Sequence, residues 1–468
     1  MTEDLWDRTI LSLTTDGDGW PVAATSTAAG RVVVDAPRPW RPVDLDCSVR
    51  ELEVTAEHPD GARMRIRYTV EETWDIHITV RATGDRAISV PGPRWRFLTD
   101  IPVHAWPAGA DGVVATAPRQ GGQMEWKQLV GDSRMGDDGV LPLGRMLALG
   151  PGESLASSWR GHEAACPVQL LHDLPDWLPG ELIVDEGDEI WCDTPDAGLM
   201  LDEAETDGQV LTGRAGLHEL EVRQARGTTR PAVGWAPSLA SVRRIRGEEI
   251  MGSLDVRRAD GARLWILARA AEAADVDRVA LEMVDEALEN LLSRPGAGLF
   301  TVLTALTRSS TTADMDIWNL ALEALAVLDD ARPGTLMAHA LAASLARISG
   351  GPEPAPVDLT ADAEDPLVRA ERAMLLDPGP RPDPDSLSAL WLLGGVLPSP
   401  APGPLLDGHG RHPALRTAQA VALTSMWPEW WDVSADWGVD AAILRQRAVR
   451  RLLAQDHLDD EALALLMW

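Results

Sequence analysis

The chain of 468 residues contains very little lysine, tyrosine, phenylalanine or asparagine: Lys127 and Tyr68 are single, and the other two types occur twice each. All four amino acids use AT-rich codons, so their joint scarcity indicates a GC-rich genome rather than a functional demand. The chain has 19 tryptophans, yet aromatic residues total only 5%. Tryptophan therefore occupies the core positions that phenylalanine and tyrosine usually fill. We therefore predict that most tryptophans are buried.

Cysteine is scarce as well, and Cys47, Cys166 and Cys192 lie far apart without a CxxC pair. This spacing argues against a disulfide framework and a zinc site, so neither a metal nor another cofactor is predicted. No uncharged apolar run reaches the length of a membrane span, and the N-terminus lacks the regions of a signal peptide. The sequence therefore predicts a cytoplasmic protein without a membrane partner.

Positive charge is in deficit, since 42 basic residues oppose 73 acidic ones and the formal net charge is −31. Such a surface repels phosphate backbones and anionic membranes, and no basic stripe compensates for it. Nucleic acid is therefore excluded as a predicted partner. The sequence also lacks phosphate loops, dinucleotide fingerprints, nucleophile elbows and paired-histidine zinc helices, so no familiar motif marks a reactive centre.

The chain does contain many short segments in which apolar and charged residues alternate, all before residue 255. In 62–71 and 73–81 the apolar residues fall on one face, which is typical of half-buried antiparallel strands. The sequence His-Pro-Asp-Gly at 58–61 predicts a hairpin turn. So many strands predict a large antiparallel β-sandwich over residues 1–170 and a small immunoglobulin-like β domain over 171–237.

Alanine- and leucine-rich segments with helical spacing begin at Ala262, after a predicted linker over 238–261. Turns containing Pro-Gly recur at intervals of about two helices, as at 330–334, which predicts stacked helical hairpins over 262–468. These hairpins form either a toroid or a solenoid. The predicted fold is thus α+β and multidomain.

The segment 427–437, Trp-Pro-Glu-Trp-Trp-Asp-Val-Ser-Ala-Asp-Trp, is the strongest candidate for chemistry. Indole rings stack on sugar rings, and two carboxylates beside a glycosidic bond act as acid and base or nucleophile. The candidates are three catalytic acids and four substrate-binding tryptophans: Glu429, Asp432, Asp436, Trp427, Trp430, Trp431 and Trp437. The alternative is an acidic loop whose tryptophans fill the gap between helix pairs.

Histidine occurs beside a carboxylate at 162–163, 172–173 and 218–219. Adjacent residues of a strand point to opposite faces, so these neighbours are not predicted to form dyads. The Gly-rich segment 409–412 offers two histidines and an arginine to an anionic group at a helix start, or is a solvated loop.

The segment 174–236, with Leu-Pro-Asp-Trp-Leu-Pro, Gly-Asp-Glu-Ile and Gly-Trp-Ala-Pro, resembles uncharacterised actinobacterial proteins of the same layout. That resemblance carries no known activity. The layout of a β-sandwich followed by helical hairpins is also similar to six-hairpin, glucoamylase-like glycosidases, which implies catalytic acids in the helical part. The span 262–468 is short for the twelve-helix toroid of those enzymes and fits about ten helices.

The predicted function is a carbohydrate-active protein, a glycoside hydrolase relative that uses paired carboxylates on an oligosaccharide. The alternative is a non-catalytic binding or scaffold protein, whose sandwich and helical-repeat surfaces would hold a protein partner.

Overall fold

The computed structural model describes 23 strands and ten helices in the following parts of the chain: 19–21, 23–24, 31–48, 50–71, 73–98, 103–106, 113–116, 123–131, 134–136, 139–164, 179, 181–193, 198–202, 204–206, 208–224, 227–229, 232–273, 277–360, 363, 365–376, 413–426 and 441–468. All of these strands precede the helices, and nearly all strand pairs are antiparallel. The predicted α+β combination of antiparallel sheets and helices is confirmed. Within these ranges, no helix is both long enough and apolar enough to cross a bilayer.

An eight-stranded antiparallel sheet is the largest element of the N-terminal part. Its neighbouring strands are, in order, β3 (Arg41–Cys47), β4 (Glu51–His58), β5 (Ala62–Val70), β6 (Trp74–Ala82), β15 (Ser154–Ala164), β11 (Gln123–Val130), β10 (Val113–Thr116) and β9 (Val103–Trp106). Burial alternates strictly along β5, where Met64 and Ile66 are buried and Arg65 is exposed. The alternating pattern and the hairpin turn at 58–61 are confirmed, and Gly61 in that turn has a φ of 87°.

A five-stranded sheet packs against the inner face of the larger one. It consists of β1 (Ala23–Ala24), β2 (Arg31–Asp35), β8 (Arg94–Leu98), β13 (Gly139–Leu141) and β12 (Arg134–Gly136), and a separate ribbon pairs β7 (Ile88–Pro91) with β14 (Met146–Leu149). The backbone N–H of Val34 donates to the Tyr68 hydroxyl across the core at 3.0 Å. The two sheets therefore enclose one apolar core.

Tryptophans fill the centre of this core. Trp126 meets Trp74 and Trp95 edge-to-face, with ring centroids 4.8 and 5.1 Å apart. Of the eleven tryptophans whose side chains the structure describes, nine are buried. The prediction that most tryptophans are core residues is confirmed for this part of the chain.

A third group of strands follows. It comprises β16 (Ile183–Asp185), β23 (Ala232–Ala236), β21 (Gly216–Gln224), β18 (Gly198–Leu201) and β19 (Ala204–Glu205), with β22 (Gly227–Thr229) beside β21, and a ribbon of β17 (Ile190–Trp191) and β20 (Val210–Leu211). Its small core surrounds Trp235, whose indole N–H donates to the carbonyl of Asp188 at 2.8 Å.

The helical part contains ten described helices. They are α1 (Leu239–Ser253), α2 (Gly261–Ala273), α3 (Arg278–Leu292), α4 (Leu299–Thr312), α5 (Met315–Leu325), α6 (Thr335–Ser349), α7 (Pro366–Leu375), α8 (Pro413–Ser425), α9 (Ala441–Leu453) and α10 (Asp460–Leu466). Helix α1 begins inside the predicted linker. The division into 1–170, 171–237, 238–261 and 262–468, and the immunoglobulin-like and toroid assignments, stay predictions.

Contacts among the helices form a cycle, in which α2, α4, α6, α7, α8 and α10 each touch the next and α10 returns to α2. The indole N–H of Trp265 on α2 donates to the carbonyl of Ala464 on α10 at 3.0 Å and joins the two ends. Helix α9 packs against both α8 and the strands β16 and β23. The last helices of the chain thus hold the third group of strands against the helical part.

Candidate functional site

The seven residues predicted from the sequence to form the site, Glu429, Asp432, Asp436, Trp427, Trp430, Trp431 and Trp437, lie outside the described residues. The segment 409–412 does so as well. The flanking helices are described: α8 ends at Ser425 and α9 begins at Ala441. Arg416, in the first turn of α8, bonds both carboxylate oxygens of Asp365, the residue that caps α7.

His218 pairs with a carboxylate that the sequence does not place beside it. Its Nδ1 lies 2.6 Å from the Asp202 carboxylate, and its Nε2 lies 2.9 Å from the carbonyl of Arg214. Burial opposes a charge on this ring, but the hydrogen bonds to the Asp202 carboxylate and the Arg214 carbonyl raise the pKa of His218. Both ring nitrogens face acceptor oxygens in this loop-to-strand contact, so neither is free to take a proton from a substrate.

Several buried ionisable side chains lie at the N-terminus of α6. Glu371 on α7 is buried, with 2% of its surface exposed, and accepts a hydrogen bond from the backbone N–H of Gly334. A second bond comes from the N–H of Leu336. The carboxyl group thus satisfies donors that the first turn of a helix leaves free.

Gly334 is required at this point for two reasons. Its φ of 96° is unfavourable for any residue with a Cβ. A Cβ there would also lie 2.7 Å from Leu299 and 3.3 Å from the ring of Trp468, the C-terminal indole. The sequence marks 330–334 as a repeating turn, and the structure shows that this turn brings Glu371 and Trp468 to the same helix end.

The second oxygen of Glu371, Oε2, has no hydrogen-bond partner among the described residues. Burial raises the pKa of Glu371 to about 8, and the negative charge of Asp365 adds to this effect. The N–H groups of Gly334 and Leu336 act in the opposite direction but do not cancel it. At neutral pH this buried carboxyl group therefore keeps its proton.

His339 lies one turn further along α6, with its Nδ1 atom buried and without a partner among the described residues. Burial lowers the pKa of His339, although the charge of Asp330 opposes this shift. Asp330 also faces the buried Arg372, whose Nη2 is 3.7 Å from the carboxylate. The helix end thus combines a neutral imidazole, a protonated carboxyl group and a guanidinium.

A proton acceptor and a proton donor at the same helix end are the two kinds of group that general acid–base catalysis uses. Sequence reasoning missed Glu371 and His339, because each lies within a helical repeat and belongs to no motif. Only the Gly334 turn carries a signal, and it indicates a backbone requirement rather than chemistry. In the described part of the chain, no group of three or more His, Cys, Asp and Glu side chains is arranged to hold a metal ion.

Comparison with known proteins gives a structural likeness and no match in sequence. No protein-family model matches the chain, and no curated protein matches its sequence. A solved structure of a polysaccharide lyase matches with a TM-score of 0.52 and 12% identity, over 94% of this chain and 75% of the lyase chain. At this identity the likeness shows a shared fold, and that fold is one found in a carbohydrate-active protein.

Proposed function

We propose that this chain is a carbohydrate-active protein that cleaves a polysaccharide with groups of its helical part. The observation that carries the proposal is the fold shared with a polysaccharide lyase over 94% of the chain. Because one fold hosts many chemistries, the reactive groups have to be argued from residues. Closure of the helix cycle into a reduced toroid, with the site at one end, is part of the proposal.

Hydrolysis is the first chemistry that we propose. Two of Glu429, Asp432 and Asp436 would flank the glycosidic bond, one giving a proton to the leaving oxygen and the other acting as base or nucleophile. The four tryptophans of 427–437 would stack on the sugar rings. A separation of the two carboxyl groups near 5 Å predicts retention, and roughly 6.5–9.5 Å predicts inversion.

Elimination is the second chemistry, and the cluster at the N-terminus of α6 favours it. In a uronic acid residue, His339 would take the proton next to the sugar carboxylate while Glu371 gives its proton to the leaving oxygen. The carbon–oxygen bond breaks and a carbon–carbon double bond forms, so no water is consumed. The Arg372 guanidinium would stabilise the negative charge that develops on the sugar carboxylate when the neighbouring proton is removed.

Product analysis separates these chemistries. Purified protein is incubated with neutral and with uronate-containing polysaccharides, and new reducing ends and ultraviolet absorbance of a conjugated double bond are both followed. Hydrolysis gives reducing ends alone, whereas elimination gives both signals. If the chain hydrolyses the polysaccharide, we expect Glu429→Gln to abolish the release of reducing ends. If it eliminates, we expect Glu371→Gln or His339→Gln to slow the rise of the ultraviolet absorbance about 100-fold or more.

Glu282→Gln is the matched control, because Glu282 is an exposed carboxylate on α3. It should leave both signals unchanged. A wild-type protein that releases no reducing ends from any of the polysaccharides overturns the cleavage proposal and favours the non-catalytic binding protein. A rate unchanged in Glu371→Gln and His339→Gln removes the α6 cluster from the mechanism.

A further inference from the structure

Trp191 on β17 is the exception among the tryptophans whose side chains the structure describes. Nine of these eleven are buried and Trp468 is half-buried, whereas 60% of the surface of Trp191 is exposed. Leaving an indole ring in water forgoes the free energy that its burial supplies. Single exposed apolar residues are nevertheless common in proteins, so a role for Trp191 has to be argued from its surroundings.

The backbone that carries Trp191 is held to the small core of the third group of strands. Its two neighbours, Ile190 and Cys192, are buried, and the N–H of Cys192 extends the pairing with the β20 segment through a hydrogen bond of 2.9 Å. On the other side, the carbonyl of Asp188 accepts the indole N–H of the buried Trp235 at 2.8 Å. The exposed ring therefore stands on a firmly held support.

Two carboxylates flank the Trp191 ring. Burial alternates from Glu189 to Asp193, so these two exposed residues lie on the same face as Trp191, each about 7 Å from it along the strand. The half-buried Val210 of β20 lies directly opposite Trp191, and Thr212, two positions further, is exposed on the same side. The indole thus has a carboxylate on either side and a hydroxyl group nearby.

The charge around the ring is negative, since the segment 181–193 contains six acidic residues and no basic one. The arginines of α9 that reach this segment bind Glu181 and Asp185. Among the described side chains, no cation pairs with Glu189 or Asp193. An exposed aromatic face between two such carboxylates attracts a cation.

We propose that Trp191, Glu189 and Asp193 bind an amino-sugar unit of a polysaccharide, in which a protonated amine replaces a hydroxyl group. The apolar C–H face of the sugar stacks on the indole, and the amine lies against the ring and a carboxylate, where cation–π attraction adds to the ion pair. Hydroxyl groups of the sugar donate to the second carboxylate and to Thr212. The inference rests on the carbohydrate-active function proposed above and adds a binding site on the third group of strands, with its ligand class.

Other ligands fit this surface less well. The two carboxylates repel a uronate or a phosphate, and a neutral sugar stacks on the ring but gains nothing from the charge. A lysine-rich peptide supplies the cation but has neither the flat C–H face nor the hydroxyl groups of a sugar. The combination of an indole, two carboxylates and a hydroxyl group therefore favours an amino sugar.

Binding by the full chain is measured by titration calorimetry at slightly acidic pH, where the amines of the probe are protonated. The probe is a glucosamine oligosaccharide, and its N-acetylated form has the same backbone without the positive charge. Oligolysine is the third ligand, because it has the charge without the sugar. We expect the wild type to bind the glucosamine oligosaccharide about tenfold more tightly than the N-acetylated form.

Two variants separate stacking from charge. Trp191→Ala removes the ring and should weaken the binding of both oligosaccharides about tenfold. Glu189→Gln/Asp193→Asn keeps polar oxygens and should weaken only the binding of the glucosamine oligosaccharide, again about tenfold. The three side chains are exposed, so the thermal midpoint should stay at the wild-type value. Glu282→Gln on α3 is the matched control and should bind like the wild type.

Wild-type protein that does not bind the glucosamine oligosaccharide, or that binds it no more tightly than the N-acetylated form, overturns the inference. An affinity that is unchanged in Trp191→Ala or in the double variant does so as well. Oligolysine binding that is as tight and equally dependent on Trp191 assigns the site to a basic peptide and also overturns it. Cleavage is not measured in these titrations, so binding by a protein that releases no reducing ends contradicts the proposed function alone, and cleavage without this binding contradicts the inference alone.

Discussion

Glu371 makes the stability of the helical part depend on pH. Burial raises its pKa from an ordinary 4.5 to about 8. Between these values the unfolded chain has released the proton and the folded chain has kept it, so stability falls as the pH rises through this range. Glu371→Gln cannot ionise, and we expect urea unfolding to show a shallower fall in this variant than in the wild type.

Glu282→Gln serves as the control here too, because its exposed carboxylate should not change the slope of stability against pH. A Glu371→Gln variant with the slope of the wild type would contradict the assignment of the raised pKa to this residue.

Individual residues differ in how far the sequence predicts their roles. Burial of Trp74 and Trp126 follows from composition alone, because the chain has few other aromatic residues to fill its cores. The contact of His218 with Asp202 depends on the pairing of β18 with β21, and Glu371 meets Gly334 only after α6 and α7 pack together. Local patterns contain no information about such pairings, so both carboxylates were missed.

Asp365 both caps α7 and binds α8, so two substitutions at this residue can separate the two contributions to the free energy of unfolding. Its carboxylate caps α7 by accepting the N–H of Leu367, and it also receives two hydrogen bonds from Arg416 of α8. Asp365→Asn keeps a capping oxygen but loses the charge, which should cost about 1–3 kcal/mol for a largely buried charged bond. Asp365→Ala also loses the cap, which should add about 1 kcal/mol.

Denaturant unfolding of the two Asp365 variants measures this difference directly. If Asp365→Asn is as stable as the wild type, the Arg416 contact is not a stabilising link between α7 and α8. In that case Arg416→Gln should also leave the free energy of unfolding unchanged.

At the level of elements, the sequence predicts which helices exist better than it predicts where they begin and end. Within the predicted helical hairpins, α5 begins at Met315 because the Asp314 carboxylate accepts hydrogen bonds from two backbone N–H groups of the first turn. Helix α1 lies where a linker is predicted, and because only Gly247 and Ile250 of this helix are buried, its sequence carries little of the apolar spacing of a core helix. Arg246 anchors it by bonding Asp460 at the other end of the chain, a contact that no local pattern reveals.

For the whole molecule, the order of strands followed by helices could be predicted from periodicity, but the docking of the two parts could not. Helix α9 reaches back about 265 residues in sequence to the third group of strands. Arg450 bonds both carboxylate oxygens of Asp185, and Arg447 bonds Glu181. The contacts of α9 with β16 and β23 therefore decide how the helical part is placed against the strands.

A charge swap tests whether these ion pairs hold the docked arrangement. Arg450→Glu places a carboxylate against Asp185 and Glu181, and we expect it to lower the free energy of unfolding by more than the ~1 kcal/mol of an exposed pair. Arg450→Glu/Asp185→Arg restores the pair and should recover part of the loss, although Glu181 still opposes the new carboxylate. High salt should weaken both effects.

The exposed pair Arg244 and Glu248 on α1 provides the control, because both of its side chains are 61% exposed and lie one turn apart. Its charge swap should give a coupling of about 0.3–0.5 kcal/mol in a double-mutant cycle. Arg450 is only 16% exposed, so water screens the attraction between Arg450 and Asp185 less than it screens the exposed pair. If the Arg450 and Asp185 cycle gives a coupling no larger than the control, apolar packing of α9 on β16 and β23, and not charge, sets the position of the helices.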